Sequence, residues 1–168
     1  LAQLLPSGPG YERENAQELL VHLFHRAERR IVITTPYFVP DDPFLQALRT
    51  AVRRGVEVRL VVANPVDKWV MGLAQRSYFD ELLSAGVRIH LYRPHFLHAK
   101  HVSIDDDLAI VGSVNMDIRS FALNAEVALL VYDPAVVTAM RAVQARYCAG
   151  AIELTREAWG RRPLWLRV

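Results

Sequence analysis

Hydrophobic positions change period several times along this chain, and each change marks an element. Leu20, Leu23, Phe24 and Ala27 recur at the i, i+3, i+4, i+7 spacing of a helix closed by Arg29 and Arg30. Ahead of it, Pro6-Ser7-Gly8-Pro9-Gly10 reads as a loop. Ile31 to Thr35 is an unbroken β-branched run, the mark of a strand buried on both faces. Asp42 then caps a helix with Pro43 at its first position, and Gly55 stops it after Arg53-Arg54. Val56 to Ala63 reads as a second strand, Asp67 to Ser84 as a helix ending at Gly86, and Val87 to Tyr92 as a third strand. Beyond Pro94, the apolar runs 98–105 and 108–114 flank acidic residues and predict a hairpin. A strand over 124–132 and a helix opened by Asp133-Pro134 follow, the helix running through Val143 and Tyr147.

Strands alternating with helices, then a hairpin, predict an α/β fold: a mixed β-sheet flanked by helices on both faces. The tail from about 150 to 168 shows no clear period and reads as packed on the surface of one domain covering 1–168. At 168 residues, with 52% hydrophobic and 23% charged residues, the chain can build an ordinary core. Beginning at Leu1 rather than Met, it reads as a piece of something longer. The single Cys148 excludes an intramolecular disulfide framework and a cysteine-cluster metal site. A net charge of +2 is too small to argue by itself for nucleic acid or an anionic membrane, and no apolar run is long enough to span a bilayer.

The chemistry concentrates between residues 98 and 126. His22, His25, His90, His95 and His101 read as ordinary surface or core histidines. The spacing of three among His95, His98 and His101 does not place them on one face of a strand, so no metal site is expected. His98 differs because His98-Ala99-Lys100, Asp105 and Gly112-Ser113-Val114-Asn115 form one long spaced pattern. In a strand, His98 and Lys100 share a face, as do Ser113 and Asn115 on the next. If Asp106-Asp107 is a two-residue turn, Lys100 stands opposite Ser113 and His98 opposite Asn115. An imidazole, an ammonium, a hydroxyl and an amide then share one patch. Asp105, of opposite parity, is expected to support the turn or backbone rather than touch substrate. The patch suits phosphoryl chemistry: Lys100 and Asn115 bind phosphate oxygens, and His98 attacks phosphorus or moves a proton.

This pattern resembles the His-x-Lys-x4-Asp-x6-Gly-Ser hallmark of the phospholipase D superfamily, matched here from His98 through Asn115. The likeness extends outward. Thr35-Pro36-Tyr37-Phe38-Val39-Pro40-Asp41, Phe96-Leu97 before the motif, and 112–126 with Asp117, Arg119, Ser120, Leu123 and Asn124 look like the second half of bacterial cardiolipin synthases. One difference is Asp106 where many relatives carry Gly. A larger one is that the chain holds a single His-x-Lys.

The resemblance implies a phosphatidyltransferase half of the bacterial cell membrane that needs no metal or other cofactor. It would exchange a phosphatidyl group between phosphatidylglycerol molecules through a phosphohistidine, releasing glycerol. The acidic residue that orients the histidine in this family maps onto Glu126, giving His98, Lys100, Asp105 and Glu126 as catalytic residues. Ser113 and Asn115 are candidates for binding substrate. Tyr37 and Phe38, after a strand end, are candidates for its entrance, or else ordinary core aromatics. The partners implied are phospholipid, a membrane surface reached through the parent protein, and a second catalytic half supplied by the parent chain or a second copy. The isolated fragment is expected to be inactive as a monomer. Alternatives are a homodimeric phosphodiesterase or nuclease, and a non-catalytic module that binds anionic phospholipid headgroups.

Overall fold

In the computed structural model, which describes residues 1–11 and 14–161, an eight-stranded mixed sheet runs through the molecule. In chain order the elements are β1 (Ala2–Ser7), α1 (Asn15–Arg26), β2 (Arg30–Thr35), β3 (Phe38–Val39), α2 (Asp42–Arg53) and β4 (Glu57–Ala63). Then come α3 (Trp69–Ser77), α4 (Phe79–Ala85), β5 (Arg88–Tyr92), β6 (His101–Ile104), β7 (Leu108–Gly112) and β8 (Met116–Asp117). The last are α5 (Ile118–Ala122), β9 (Glu126–Val131), α6 (Pro134–Ala149), β10 (Ala151–Leu154) and α7 (Arg156–Gly160). The strand order is β1-β9-β7-β6-β2-β4-β5-β10, with β3 and β8 forming a separate parallel pair. β2, β4 and β5 are parallel, joined by helical crossovers, and every other neighbouring pair is antiparallel.

The apolar periods build two layers on this sheet. Leu20 and Phe24 of α1, Phe44 and Leu48 of α2, and Phe79 and Leu82 of α4 bury against Ile31, Ile33, Leu60, Ile89 and Leu130. Phe24 and Phe38 each meet the Phe44 ring edge-on, at centroid distances of 5.1 and 6.2 Å. On the other face lies α6, opened by Asp133, whose carboxylate accepts from the Ala135 and Val136 amides. There Val61, Ala63 and Leu97 are buried with Tyr92, Tyr147 and Cys148 packed around them. Gln144 threads a polar contact through this layer: its Nε2 donates to the Val32 carbonyl at 3.1 Å, and its Oε1 accepts from Ser103 Oγ at 2.6 Å.

Helices on both faces of a mixed sheet are what the periodicity predicts, but several local expectations are corrected. The cap of α2 is Asp41, not Asp42: its carboxylate accepts from the Phe44 amide, so the helix starts one residue earlier. The expected helix from Asp67 to Ser84 is two helices that break at Tyr78. Pro6 and Ser7, read as the start of a loop, belong with Leu4 and Leu5 to the edge strand β1 along β9. The tail, read as surface-packed and without a clear period, carries β10, which extends the sheet beyond β5, and α7, whose Trp159 packs 5.3 Å from Phe79. Trp165 and the end of that tail lie outside the described residues.

The hairpin register also moves. Ile104 pairs with Leu108 and His101 with Val111. Asp105, Asp106 and Asp107 therefore form a three-residue turn, with Asp105 at φ 50°. Aspartate tolerates this left-handed conformation, and the extra residue shifts every partner by one. Lys100 meets Gly112, not Ser113: the Gly112 amide donates to the Lys100 carbonyl at 3.2 Å. The expected pairing of His98 with Asn115 fails for the same reason.

His101 is buried beneath α6, its Nδ1 3.3 Å from Gln144 Nε2, and burial pushes its pKa down to about 4. The unfolded chain therefore binds a proton on this ring at a higher pH than the folded one. Stability should fall as pH drops from about 6.5 to about 4, by up to about 3 kcal/mol from this residue alone. His90, also buried and shifted down by desolvation, acts in the same direction. Denaturant unfolding at pH 7 and pH 4.5 measures the slope. A His101→Phe variant should flatten it, and an unchanged slope would contradict the assignment.

Candidate active site

Because β6 and β9 run opposite to β2 and β7, the carboxyl ends of β2 and β7 and the amino ends of β6 and β9 lie at one edge of the sheet. The loops there begin or end with Thr35, Lys100, Gly112 and Glu126. Residues about 90 positions apart in sequence are thus gathered where the parallel strands end, the usual place for a ligand crevice in α/β sheets.

Two glycines let the backbone close in around Glu126. A β-carbon on Gly112 would stand 2.2 Å from the Val127 carbonyl oxygen. At Gly8, with φ +106°, it would stand 2.0 Å from the Asn124 carbonyl oxygen. Only glycine permits these approaches. Ser113 completes the clamp: its amide donates to the Val127 carbonyl at 2.9 Å, and its Oγ accepts from the Val127 amide at 3.0 Å.

Within that frame, Lys100 is half-buried and its Nζ donates to the His98 carbonyl at 2.8 Å. Desolvation lowers its pKa, while the nearby carboxylates of Glu126 and Asp117 oppose the shift and favour the ammonium. Glu126 Oε1 accepts from Asn124 Nδ2 at 3.3 Å. Asp117 is buried at the amino end of α5 and accepts from the Ser120 amide at 2.8 Å. Asn115 Nδ2 donates to Ser120 Oγ at 3.1 Å, and its buried Oδ1 lacks a partner among the described residues. The His98 ring is exposed and stacks on Phe96 at 5.7 Å. The Lys100 ammonium thus stands near two carboxylates, Asn115 and Asp117 share Ser120 as a partner, and the accessible imidazole lies two residues before Lys100. Such a set can bind a phosphate oxygen and move a proton.

A cavity of about 490 Å³ opens beside this cluster, lined by Tyr37, Lys68, Trp69, Asn115, Arg119 and Asn124 among others. Tyr37 therefore borders this cavity. Its hydroxyl donates to Asp67 Oδ1 at 2.6 Å, and burial with that carboxylate pushes its pKa up to about 12. Phe38 does not reach the entrance: it is fully buried in the core against Phe44 and Tyr78. Asp117, Lys68, Trp69 and Arg119 were not singled out as site residues from sequence. Asp117 had a signal, an Asp-x-x-Ser start to a short helix. The segment around Lys68 and Trp69 had none, since only the fold carries it to the motif.

Asp105 lies apart from the cluster, at the far end of β6, roughly 16 Å from Lys100 along an extended strand. Its carboxylate accepts from the amides of Glu28, Arg29 and Arg30 at 2.9, 2.7 and 2.8 Å. Burial alone would raise its pKa, but these three amides outweigh it and hold the carboxyl below its usual value. The neighbouring Asp106 pairs with Arg29, Arg30 and Arg141, tying the turn to α6. Asp105→Ala strands three backbone donors and should destabilise the fold by about 3 kcal/mol or more. Asp105→Asn, which keeps one acceptor and tolerates the left-handed backbone, should cost less. Urea unfolding compares the two, and equal losses would contradict a role for the three amide bonds.

A mixed α/β sheet with this spaced motif at the strand ends defines a phospholipase D-like domain. The chain belongs to the family described as cardiolipin synthase, phospholipase D-like domain, whose model matches residues 20–147. It is 40% identical over 166 residues to cardiolipin synthase A of Pectobacterium carotovorum subsp. carotovorum, and equally to that of Yersinia pseudotuberculosis. Each match covers 99% of this chain and 34% of the relative, so the chain spans about a third of their length. The fold is also that of the phospholipase D family member Nuc from Salmonella typhimurium, with TM-score 0.78 and 18% identity over 92% of this chain and 98% of that one. Phosphatidylserine synthase of Haemophilus influenzae matches with TM-score 0.75 and 20% identity, over 99% of this chain and 44% of its own.

Proposed function

We propose that this chain is one catalytic half of a phosphatidyltransferase that joins two phosphatidylglycerol molecules and releases glycerol. The reading rests chiefly on one observation: Lys100 lies near Glu126 and Asp117 and donates to the carbonyl of an accessible His98, while Asp117 and Asn115 line an open cavity, in a member of the cardiolipin synthase family. In the first step an imidazole nitrogen attacks phosphorus and the bond to the glycerol oxygen breaks. That oxygen takes a proton from a general acid as glycerol leaves. In the second step the base removes a proton from a hydroxyl of another phosphatidylglycerol, whose oxygen attacks phosphorus and breaks the P–N bond. We assign His98 the acid and base role, Lys100 and Asn115 the phosphate oxygens, and Glu126 the orientation of the His98 ring. Ser113 serves by holding the Glu126 segment, and Tyr37 by lining the way in.

The attacking imidazole belongs to a second half. The face for it is the outer side of β1, β9 and β7, where Leu4, Leu129 and Val111 stand in one transverse row with Val127 beside them, all exposed. Such an apolar sheet face suits a packed partner. Among the described residues no helix is long and apolar enough to cross a membrane, and attachment through the parent protein belongs to the same proposal. The test is conversion of phosphatidylglycerol to cardiolipin and glycerol, followed by chromatography, with the parent half present. Hydrolysis of phosphodiesters without transfer would favour the homodimeric phosphodiesterase instead. Headgroup binding without turnover would favour the non-catalytic module.

A further inference from the structure

Helix α3 is amphipathic in the wrong sense for a helix that faces water. Its inward side carries Gly72 and Gln75, both buried. Gln75 moors the helix through polar bonds: its Oε1 accepts from the Phe38 amide at 3.1 Å and its Nε2 donates to the Ala63 carbonyl at 3.4 Å. The outward side carries Trp69, Val70 and Leu73, which are 74%, 57% and 45% exposed. A surface helix of a water-soluble fold ordinarily places its apolar residues inward and its polar ones outward. Here the amide is inside and the indole outside.

Charge and position point to what covers this ridge. Lys68 stands at its start and Arg76 in its last turn, both exposed, and α3 itself contains no acidic residue. The carboxylate just before it, Asp67, is occupied by the Tyr37 hydroxyl and the Lys68 amide. Trp69 and Val70 form one wall of the cavity at the site, with the exposed Arg119 on its lining as well. The ridge is therefore continuous with the mouth through which substrate reaches Asn115. An indole and two aliphatic side chains flanked by cations match the boundary between anionic headgroups and acyl chains.

We infer that α3 is a docking element for an anionic phospholipid surface, seating Trp69, Val70 and Leu73 among the headgroups so that the cavity opens onto the lipid. The inference builds on the phosphatidyltransferase reading and adds that this chain itself makes a membrane contact, beside whatever attachment the parent protein has. It also separates two apolar surfaces. The Leu4–Leu129–Val111 face receives the second half, and the α3 ridge receives lipid.

The test is sedimentation of the chain with sucrose-loaded vesicles of phosphatidylglycerol and phosphatidylcholine, or of phosphatidylcholine alone. The wild-type chain should pellet with the anionic vesicles in preference to the neutral ones. The triple variant W69S/V70S/L73S should bind the anionic vesicles at least tenfold more weakly with an unchanged circular dichroism spectrum. Should that variant unfold, Leu73→Ser alone should still lower binding severalfold, since Leu73 is exposed and lies off the cavity. Equal binding by wild type and a folded variant overturns the proposal, as does failure of the wild type to bind anionic vesicles. Capture of the chain by a protein partner through this ridge, with no vesicle binding, overturns it too. A second measurement keeps it distinct from the reaction itself. In the complete enzyme, Leu73→Ser should slow turnover of vesicle substrate while sparing a short-chain, monomeric phosphatidylglycerol. Turnover of the soluble substrate with no vesicle effect defeats the docking element and leaves the reaction standing. Vesicle binding through the ridge without transfer defeats the reaction and leaves the docking element standing.

Discussion

Replacing His98 by alanine should lower phosphatidyl transfer by at least 10²–10⁴-fold, the ordinary worth of a positioned general acid and base. The loss should fall on kcat and the fold should survive, because among the described residues the ring makes no polar contact that holds it. It is exposed, it stacks on Phe96, and only its main-chain carbonyl is engaged, by Lys100. Thermal unfolding of His98→Ala should therefore match that of the wild type. Lys100→Met provides a contrast. Removing the half-buried ammonium leaves Glu126 and Asp117 without their nearby cation, so both KM and kcat should suffer. The assay is cardiolipin formation by the parent protein. Near-normal turnover by a folded His98→Ala enzyme would take His98 out of the mechanism.

The second large effect concerns the number of halves. In-line displacement at phosphorus places the attacking group and the acid serving the leaving oxygen on opposite sides, and this chain offers one His-x-Lys. As a monomer it should show no transfer above background. If two copies meet through the Leu4–Leu129–Val111 face, a two-histidine site can form, and specific activity should rise with protein concentration until the dimer saturates. Sedimentation velocity and activity measured over the same dilution series test this together. A Leu129→Glu substitution should abolish the concentration dependence by placing a charge in the apolar row. A specific activity constant down to concentrations where only monomer sediments would defeat the half-site proposal.

Much of this architecture is written locally. Ile31 to Thr35 reads as a strand because five consecutive residues favour extended backbone and none needs a polar neighbour. Asp133-Pro134 reads as a helix start because both residues satisfy the first turn by themselves. The opposite parity of Asp105 and Lys100 follows from the two-residue repeat of a strand, and it already separates the residue that holds backbone from the one beside Glu126 and Asp117. Family membership is legible for a related reason. The motif from His98 to Asn115 lies within one hairpin, so its spacing survives as a string.

What the sequence determined alone is therefore the main strands and helices, the motif and the family, all of which depend on neighbours a few residues apart. The tertiary structure decided the rest. The hairpin register turned on whether Asp105 adopts a left-handed conformation, and that is settled by three amides of the β2 approach some 75 residues away. Tyr37 and Phe38 are adjacent and chemically alike, yet one borders the cavity and the other fills the core, because Phe38 enters β3 and packs against Phe44 and Tyr78 while Tyr37, just before the strand, reaches Asp67. Leu4 and Leu5 became a strand only because β9 had an unpaired edge to offer them. The exposure of Trp69 followed from Gln75 finding its hydrogen-bond partners on Phe38 and Ala63. Each of these outcomes depends on a long-range partner that satisfies a polar group or covers an apolar one, and local pattern carries no information about which distant partner arrives.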